Sequence, residues 1–195
     1  MNFVTKGPNH NPVFKLMEGV FFTLQFALMF ALVAKGHPEF TRGVAASTCL
    51  WLGYRWLEAR YQLYISNYVR AVVLLTILSD GYFGYYVAYY VTSVIFDKVQ
   101  HIFGTYSFAL FAFMLVAQKQ PFPLPALTSS LFIVVLGVSM GAWYELAEFF
   151  VDSFGNPVLP GQPSLHDTNL DLIADTIGAM LAAIHWQYAD FLRQD

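Results

Sequence analysis

Long apolar blocks broken by short polar punctuation run through the chain, and they predict six helices. The first extends from Phe14 to Ala34 around the continuous run GVFFTLQFALMFALVA. The second covers Gly43 to Arg60 and has the weakest apolar signal. The third begins near Tyr68, the fourth runs from Asp97 to Ala117, the fifth from Leu127 to Val151, and the sixth from Asp167 to Ala189. Most are long enough to cross a hydrocarbon layer, which takes about 20 helical residues. The third block, from Tyr68 to Ile95, is too long for one ordinary span. Asp80 and Gly81 interrupt it, and tyrosines follow at 82, 85, 86, 89 and 90. Tyrosine favours the headgroup level, so the span is expected to end near Asp80 and the tyrosines to lie along the interface, with one long tilted helix as the alternative. The segments KQPFPLP and SFGNPVLPGQPSL are too rich in proline and glycine to be helical throughout.

Composition sharpens this into a class: an all-α, polytopic membrane helix bundle of about six transmembrane helices, in a single integral-membrane domain over residues 1–195. The chain is 57% hydrophobic and 12% charged, with a mean hydropathy of +0.50. Soluble domains carry about 25% charged residues. The runs are too long for the two-residue alternation of a membrane β-barrel. No small-residue cleavage site follows the first apolar core, so that helix is expected to act as its own insertion signal. A net charge of −3 leaves no nucleic-acid footprint. The single cysteine, Cys49, has no internal partner and is expected to pack. Aromatic residues make up 18% of the chain, as interfacial belts would require.

With six spans both termini share a side, which holds Lys6, Lys15, Arg55, Arg60, Arg70, Lys119 and Arg193. The other side holds Lys35, Arg42 and Lys98. Seven against three predicts cytoplasmic termini.

That topology gathers polar residues at the outer face. The fourth helix opens there with FDKVQH, the fifth ends there with WYELAEFFVD, and the sixth opens there with HDTNLDLIAD. Asp97 and His101 are four apart, Glu145 and Glu148 three apart, and Asp167, Asp171 and Asp175 form a stripe at a spacing of four. Such spacings share one helix face. Gly178 continues the stripe where a neighbouring helix could approach closely. Ionisable groups in membrane helices point into the bundle or a wet cavity, and converging carboxylates must be protonated or hold a cation. A divalent ion answers that need. Carboxylates with imidazole suit Zn, Mn or Fe, and carboxylates alone suit Mg or Ca.

A plainer alternative stands beside this. Asp97 and Asp167 sit where N-caps belong, Lys98 could pair with Glu145 or Glu148, and His101 could be a hydrogen-bonded core residue. Other candidates are weaker: Asp80 as a cap or site residue, Tyr144 orienting a carboxylate, and His166 as a further ligand or an exposed loop residue. Arg55 and Glu58 read as a pair, and His185 as interfacial. There is no GxSxG, HExxH, phosphate-cradling glycine loop or CxxC.

The three blocks FDKVQH, WYELAEFF and HDTNLDLIADTIGA, in that order, resemble the YjdF-like family of bacterial inner-membrane proteins. That family's pattern is Tyr-Asp-Lys/Arg-x-x-His, then Tyr-Glu-Leu-x-Glu-Trp, then Asp-Thr-x-x-Asp followed after six residues by Gly-Ala. The resemblance covers residues 75–185 and places Asp97, Lys98, His101, Tyr144, Glu145, Glu148, Asp167, Thr168, Asp171, Gly178 and Ala179 at motif positions. Phe96 and Phe149 replace an aromatic that carries a polar handle. The final block more faintly resembles VanZ-like membrane proteins. The resemblance implies a multi-pass inner-membrane protein and no particular activity.

Two functional readings follow. In the first, a metal held by Asp97, His101, Glu145, Asp167 and Asp171 acts as a Lewis acid, with Glu148 as general base and Lys98 as a second catalytic group. Asp175, Tyr144, Asp80 and His166 support the site, and the substrate is a membrane lipid or lipid-linked phosphate. In the second, the protein is a non-enzymatic subunit of a larger membrane complex, a homo-oligomer, or an ion- or proton-coupled carrier. Carrier sites lie near the midplane between matched halves. The polar cluster is expected near one face and no repeat is visible, which favours an enzyme or binding site over a carrier.

Overall fold

The computed structural model describes residues 12–120 and 124–189. Lys6 and Arg193 of the orientation argument, and residues 121–123 of the KQPFPLP segment, lie outside the described residues. Within them the chain is all-α and contains no strand. The elements are α1 (Pro12–Ala34), α2 (Thr41–Tyr61), α3 (Asn67–Ser79), the short α4 (Tyr89–Thr92), α5 (Phe96–Ala117), α6 (Ala126–Gly155) and α7 (Leu165–Tyr188). Of these, α1, α5 and α6 are long and apolar enough to cross a membrane on length and composition alone. α3 has 13 residues, which at about 1.5 Å per residue is shorter than a hydrocarbon core of about 30 Å. Many large apolar side chains face outward, among them Phe30, Leu50 and Leu127. Lipid as solvent explains such a surface where water would not.

The helix ends have local chemical causes. α1 stops because Gly36 takes a left-handed φ of +85°, and the amides of Gly36 and His37 donate back to Val33 O (3.0 Å) and Leu32 O (2.9 Å). Those two bonds form a Schellman cap, and Pro38 prevents resumption. α2 ends the same way at Gln62, where Leu63 N donates to Glu58 O at 3.0 Å. α3 and α7 begin on serine caps: Ser66 Oγ accepts from Val69 N at 3.3 Å, and Ser164 Oγ accepts from Asp167 N at 3.1 Å.

Described residues up to Val94 form one compact unit and those from Ile95 onward a second. In the first, the regular α-helix ends at Ser79, where the sequence predicts a break, and the chain continues through wider π-helical turns over Asp80–Tyr86. Val87 N reaches back five residues to Tyr82 O at 2.8 Å. Gly81 admits this segment against Leu28 and Val44, where a β-carbon would collide with Leu28 and crowd Val44. Asp80 belongs to this unit, and its Oδ1 accepts from the Tyr90 hydroxyl at 2.5 Å.

The expected Arg55–Glu58 pair is present but is part of something larger. Arg70, 2% exposed, donates to Glu18 Oε1 at 2.8 Å and also to Glu58 Oε1. Trp51 Nε1 adds a bond of 3.1 Å to Glu18 Oε2, and Arg55 Nε lies 3.6 Å from the same oxygen. Two carboxylates and two guanidinium groups thus cancel inside the helices, so Arg55 and Arg70 are paired internally and carry no weight as loop charges. Without them the lysine and arginine count falls from seven to five on one side against three on the other. Cys49 is free and exposed on α2 rather than packed, since the outward face of a helix in lipid can be apolar too.

Arg70→Met is expected to destabilise the protein by roughly 3–5 kcal/mol, because it leaves two buried carboxylates to share the one guanidinium of Arg55. Arg70→Lys should recover little, since one ammonium cannot reproduce a planar fork bridging two acids. Thermal unfolding of the detergent-solubilised chain checks both.

Candidate functional site

The second unit packs α5, α6 and α7 against one another. Small residues set how closely they approach. A β-carbon on Gly178 would run into the backbone carbonyl of Ile102 on α5, and one on Gly137 would meet Ala179 and Ala109. One on Gly141 would take the space that the Asp175 carboxylate fills. Close approach of small residues is how helices associate where lipid removes the hydrophobic drive.

Each helix turns one polar stripe inward. α5 contributes Asp97, His101 and Thr105 at a spacing of four; α6 contributes Gly141, Glu145, Glu148 and Asp152; α7 contributes Asp167, Asp171 and Asp175. His101, Glu145, Asp171 and Asp175 are all buried, at 7%, 5%, 1% and 2% exposure.

His101 is the hub. Its Nδ1 lies 3.2 Å from Asp175 Oδ1, an oxygen that also accepts from Thr105 Oγ1 at 2.5 Å. Glu145 Oε1 lies 3.8 Å from the same nitrogen, beyond hydrogen-bond length. Nε2 faces the other way, 3.6 Å from Asp171 Oδ1 and 3.8 Å from Asp97 Oδ1. Tyr144 sets its ring against the imidazole at 5.5 Å with an 81° interplanar angle. Two sets of three side chains bring their ligand atoms within 4.8 Å of one another: Asp97, His101 and Asp171 on one side, and His101, Glu145 and Glu148 on the other.

The two sides differ in charge compensation. Lys98 Nζ lies 2.9 Å from Asp97 Oδ2, 2.6 Å from Asp167 Oδ1 and 2.7 Å from Asp171 Oδ1. It therefore pairs with three aspartates and not with Glu145 or Glu148 as the plainer alternative had it. That alternative also fails for the caps. Ser164 caps α7, leaving the Asp167 carboxylate for Lys98, and Asp97 lies inside the first turn of α5, whose N-cap position is Ile95. Across the imidazole no lysine or arginine among the described residues pairs with the acids, and Glu145 Oε1, Glu148 Oε2 and Asp175 Oδ2, like Asp171 Oδ1 on the Lys98 side, are buried without a hydrogen-bond partner.

A strap closes over that second side. Asp152, one turn beyond Glu148, accepts from the amides of Gly161 (3.0 Å) and Gln162 (2.7 Å). Gln162 Nε2 then donates to Glu145 O at 2.8 Å and Glu145 Oε2 at 2.7 Å. Gly161 packs directly on the Glu148 side chain. Thr105, Asp152 and Gln162 went unnoticed in the sequence. Thr105 was findable, being four residues beyond His101; Gln162 was not, since nothing in a proline-rich loop signals a long-range partner. His166 is exposed in the first turn of α7. Asp80 is a residue of the first unit.

A model of a family described as Predicted membrane protein (DUF2238) matches residues 17–190. An uncharacterized protein of Thermotoga maritima is 31% identical over 103 residues, covering 51% of this chain and 52% of that protein. The chain thus spans about half the length of the curated relative it matches. No solved structure matches the chain.

Gly178→Val is expected to lower stability by about 1–3 kcal/mol, or to prevent folding, because the opposing atom is a backbone carbonyl that cannot swing aside. Thermal unfolding compared with Gly155→Ala, where only the end of a side chain stands nearby, isolates the effect.

Proposed function

The chain belongs to this family of predicted membrane proteins, and from that premise we propose that its second helical unit is the divalent-metal centre of a multi-pass bacterial inner-membrane protein. One observation carries the reading: His101, Glu145 and Glu148 bring one ligand atom each within 4.8 Å of one another, and Glu145 Oε1 and Glu148 Oε2 are buried without a hydrogen-bond partner. An uncompensated buried carboxylate is costly by several kcal/mol or more, and a cation among these oxygens removes that cost. Glu145, Glu148 and His101 Nδ1 would hold the ion, with Asp175 as a fourth ligand or an outer acceptor. His101 Nε2–H would then point toward Asp171 and Asp97, the outer carboxylates that fix the ring's tautomer. This donor set suits Zn, Mn or Fe better than Mg.

The chemistry such an ion supplies is Lewis-acid polarisation of a phosphoryl oxygen or activation of water. A hydrolase or transferase acting on a lipid or lipid-linked phosphate fits, since α6 carries both glutamates and the outward Trp143, Phe150 and Phe154, an apolar face suited to acyl chains. In this arrangement Glu148 is a ligand rather than a general base. With six crossings, the remaining five-to-three excess of lysine and arginine supports a site near the extracytoplasmic face with both termini cytoplasmic.

A non-enzymatic role in a membrane complex is the second reading. It is favoured by the strap, whose bonds through Asp152 and Gln162 restrict access to the glutamates.

The detergent-purified full-length protein is expected to contain one equivalent of a divalent metal by elemental analysis. Added Mn or Zn should raise the unfolding temperature of the chelator-treated protein. Glu145→Gln, Glu148→Gln and His101→Ala should each abolish both effects. Gln162→Ala should weaken affinity by roughly tenfold, as loss of an outer partner does. Absence of stoichiometric metal together with no thermal response to any divalent ion would defeat the reading.

A further inference from the structure

A cation already occupies the other face of His101, and it is part of the chain. Asp97, Asp167 and Asp171 direct one oxygen each at the Lys98 ammonium, at 2.9, 2.6 and 2.7 Å. Asp171 is 1% exposed, so its charge has little water to turn to. His101, itself 7% exposed, turns Nε2 toward the same place, with Asp171 and Asp97 oxygens at 3.6 and 3.8 Å, beyond hydrogen-bond length. Asp97, His101 and Asp171 bring one ligand atom each within 4.8 Å of one another, and Asp171 Oδ1 is buried without a hydrogen bond; beside a shared ammonium this is the donor set of a metal position, held by a lysine.

We propose that Asp97, Asp167, Asp171 and His101 Nε2 form a second cation position, that Lys98 fills it permanently, and that removing Lys98 opens it to a divalent ion. This rests on the metal reading only in taking the Glu145–Glu148 side as the first position. The two positions share one imidazole, so filling both releases the Nε2 proton to water and leaves His101 bridging the ions as an imidazolate, close enough for them to interact magnetically. An ammonium and a divalent ion in one cage of three carboxylates repel each other, so the native lysine holds the protein to a single metal. Lysine suits this task as a compact point charge with three donors, one for each aspartate. The centre is then a metal beside a fixed ammonium, not the paired-ion clamp used by many phosphoryl-transfer enzymes.

The test loads chelator-treated full-length protein in detergent with Mn(II), measures bound ion by equilibrium dialysis, and records the electron paramagnetic resonance spectrum. Wild type and Lys98→Arg should bind one Mn(II) with an isolated-ion spectrum. Lys98→Met and Lys98→Gln should each bind one more, with spectral broadening from the neighbouring ion. Adding Asp97→Asn and Asp171→Asn to Lys98→Met should restore the wild-type count. If Lys98→Met folds only with Mn(II) present, that rescue supports the proposal equally. Lys98→Met and Lys98→Gln binding no more Mn(II) than wild type, or staying unfolded with Mn(II) present, overturns it. Should wild type bind none, the first position is lost; one Mn(II) in Lys98→Met, removed by the aspartate substitutions, still upholds the second, and none there rejects it.

Discussion

A carboxylate buried among apolar helices must meet positive charge close by, and this constraint organises both compact units. In the first, Glu18 and Glu58 are met by Arg70 and Arg55, in a closed set of two acids and two bases drawn from three helices. In the second, Asp97, Asp167 and Asp171 are met by Lys98, while Glu145 and Asp175 are met by the His101 imidazole, at 3.8 and 3.2 Å, and by no lysine or arginine among the described residues. The same chain solves the problem in full in one unit and in half in the other. The half that lacks a lysine or arginine is where the proposed ion would stand.

Packing decides where these charges can stand. Gly137, Gly141 and Gly178 let the helices of the second unit come into backbone contact, and Gly141 clears the space that Asp175 occupies. Asp175 is thereby placed to hold His101 Nδ1 and Thr105 together. The small residues and the acidic stripe on α7 are one device: the glycine positions bring the helices close, and the closeness turns three separate carboxylate rows into a shared pocket. Widening the seam at Gly178 would move the acids apart without altering any of them.

Much of this was legible in the sequence because it depends on helical period. The apolar runs located the long helices to within a few residues, and the spacings of Asp97 with His101, Glu145 with Glu148, and Asp167 with Asp171 and Asp175 put the right side chains on shared faces. Partner choice was not legible. Lys98 stands next to Asp97 in sequence yet reaches across to α7, and Arg70 joins acids from two other helices. Such pairings depend on which helix lies beside which, and a one-dimensional period carries no such information. The Ser164 cap could have been read from its Ser-x-x-Asp spacing, which would have freed Asp167 from a capping role at once. The strap through Asp152 and Gln162 was hidden for the opposite reason, since irregular loops have no period to read.

The asymmetry around His101 bears on function more than the number of acids does. Were the six carboxylates there only to cap helices and tie them together, each would be expected to stand as close to a basic side chain as Asp97, Asp167 and Asp171 do to Lys98. Instead the pocket divides at one imidazole ring, with an ammonium supplied on one side and glutamates steadied by a loop amide on the other. Gln162 takes one oxygen of Glu145 and leaves the other facing His101. A purely structural contact would more economically satisfy both. A side chain held by one oxygen with the second turned toward His101 is the orientation that the proposed metal centre would require of a ligand, and the strap supplies it.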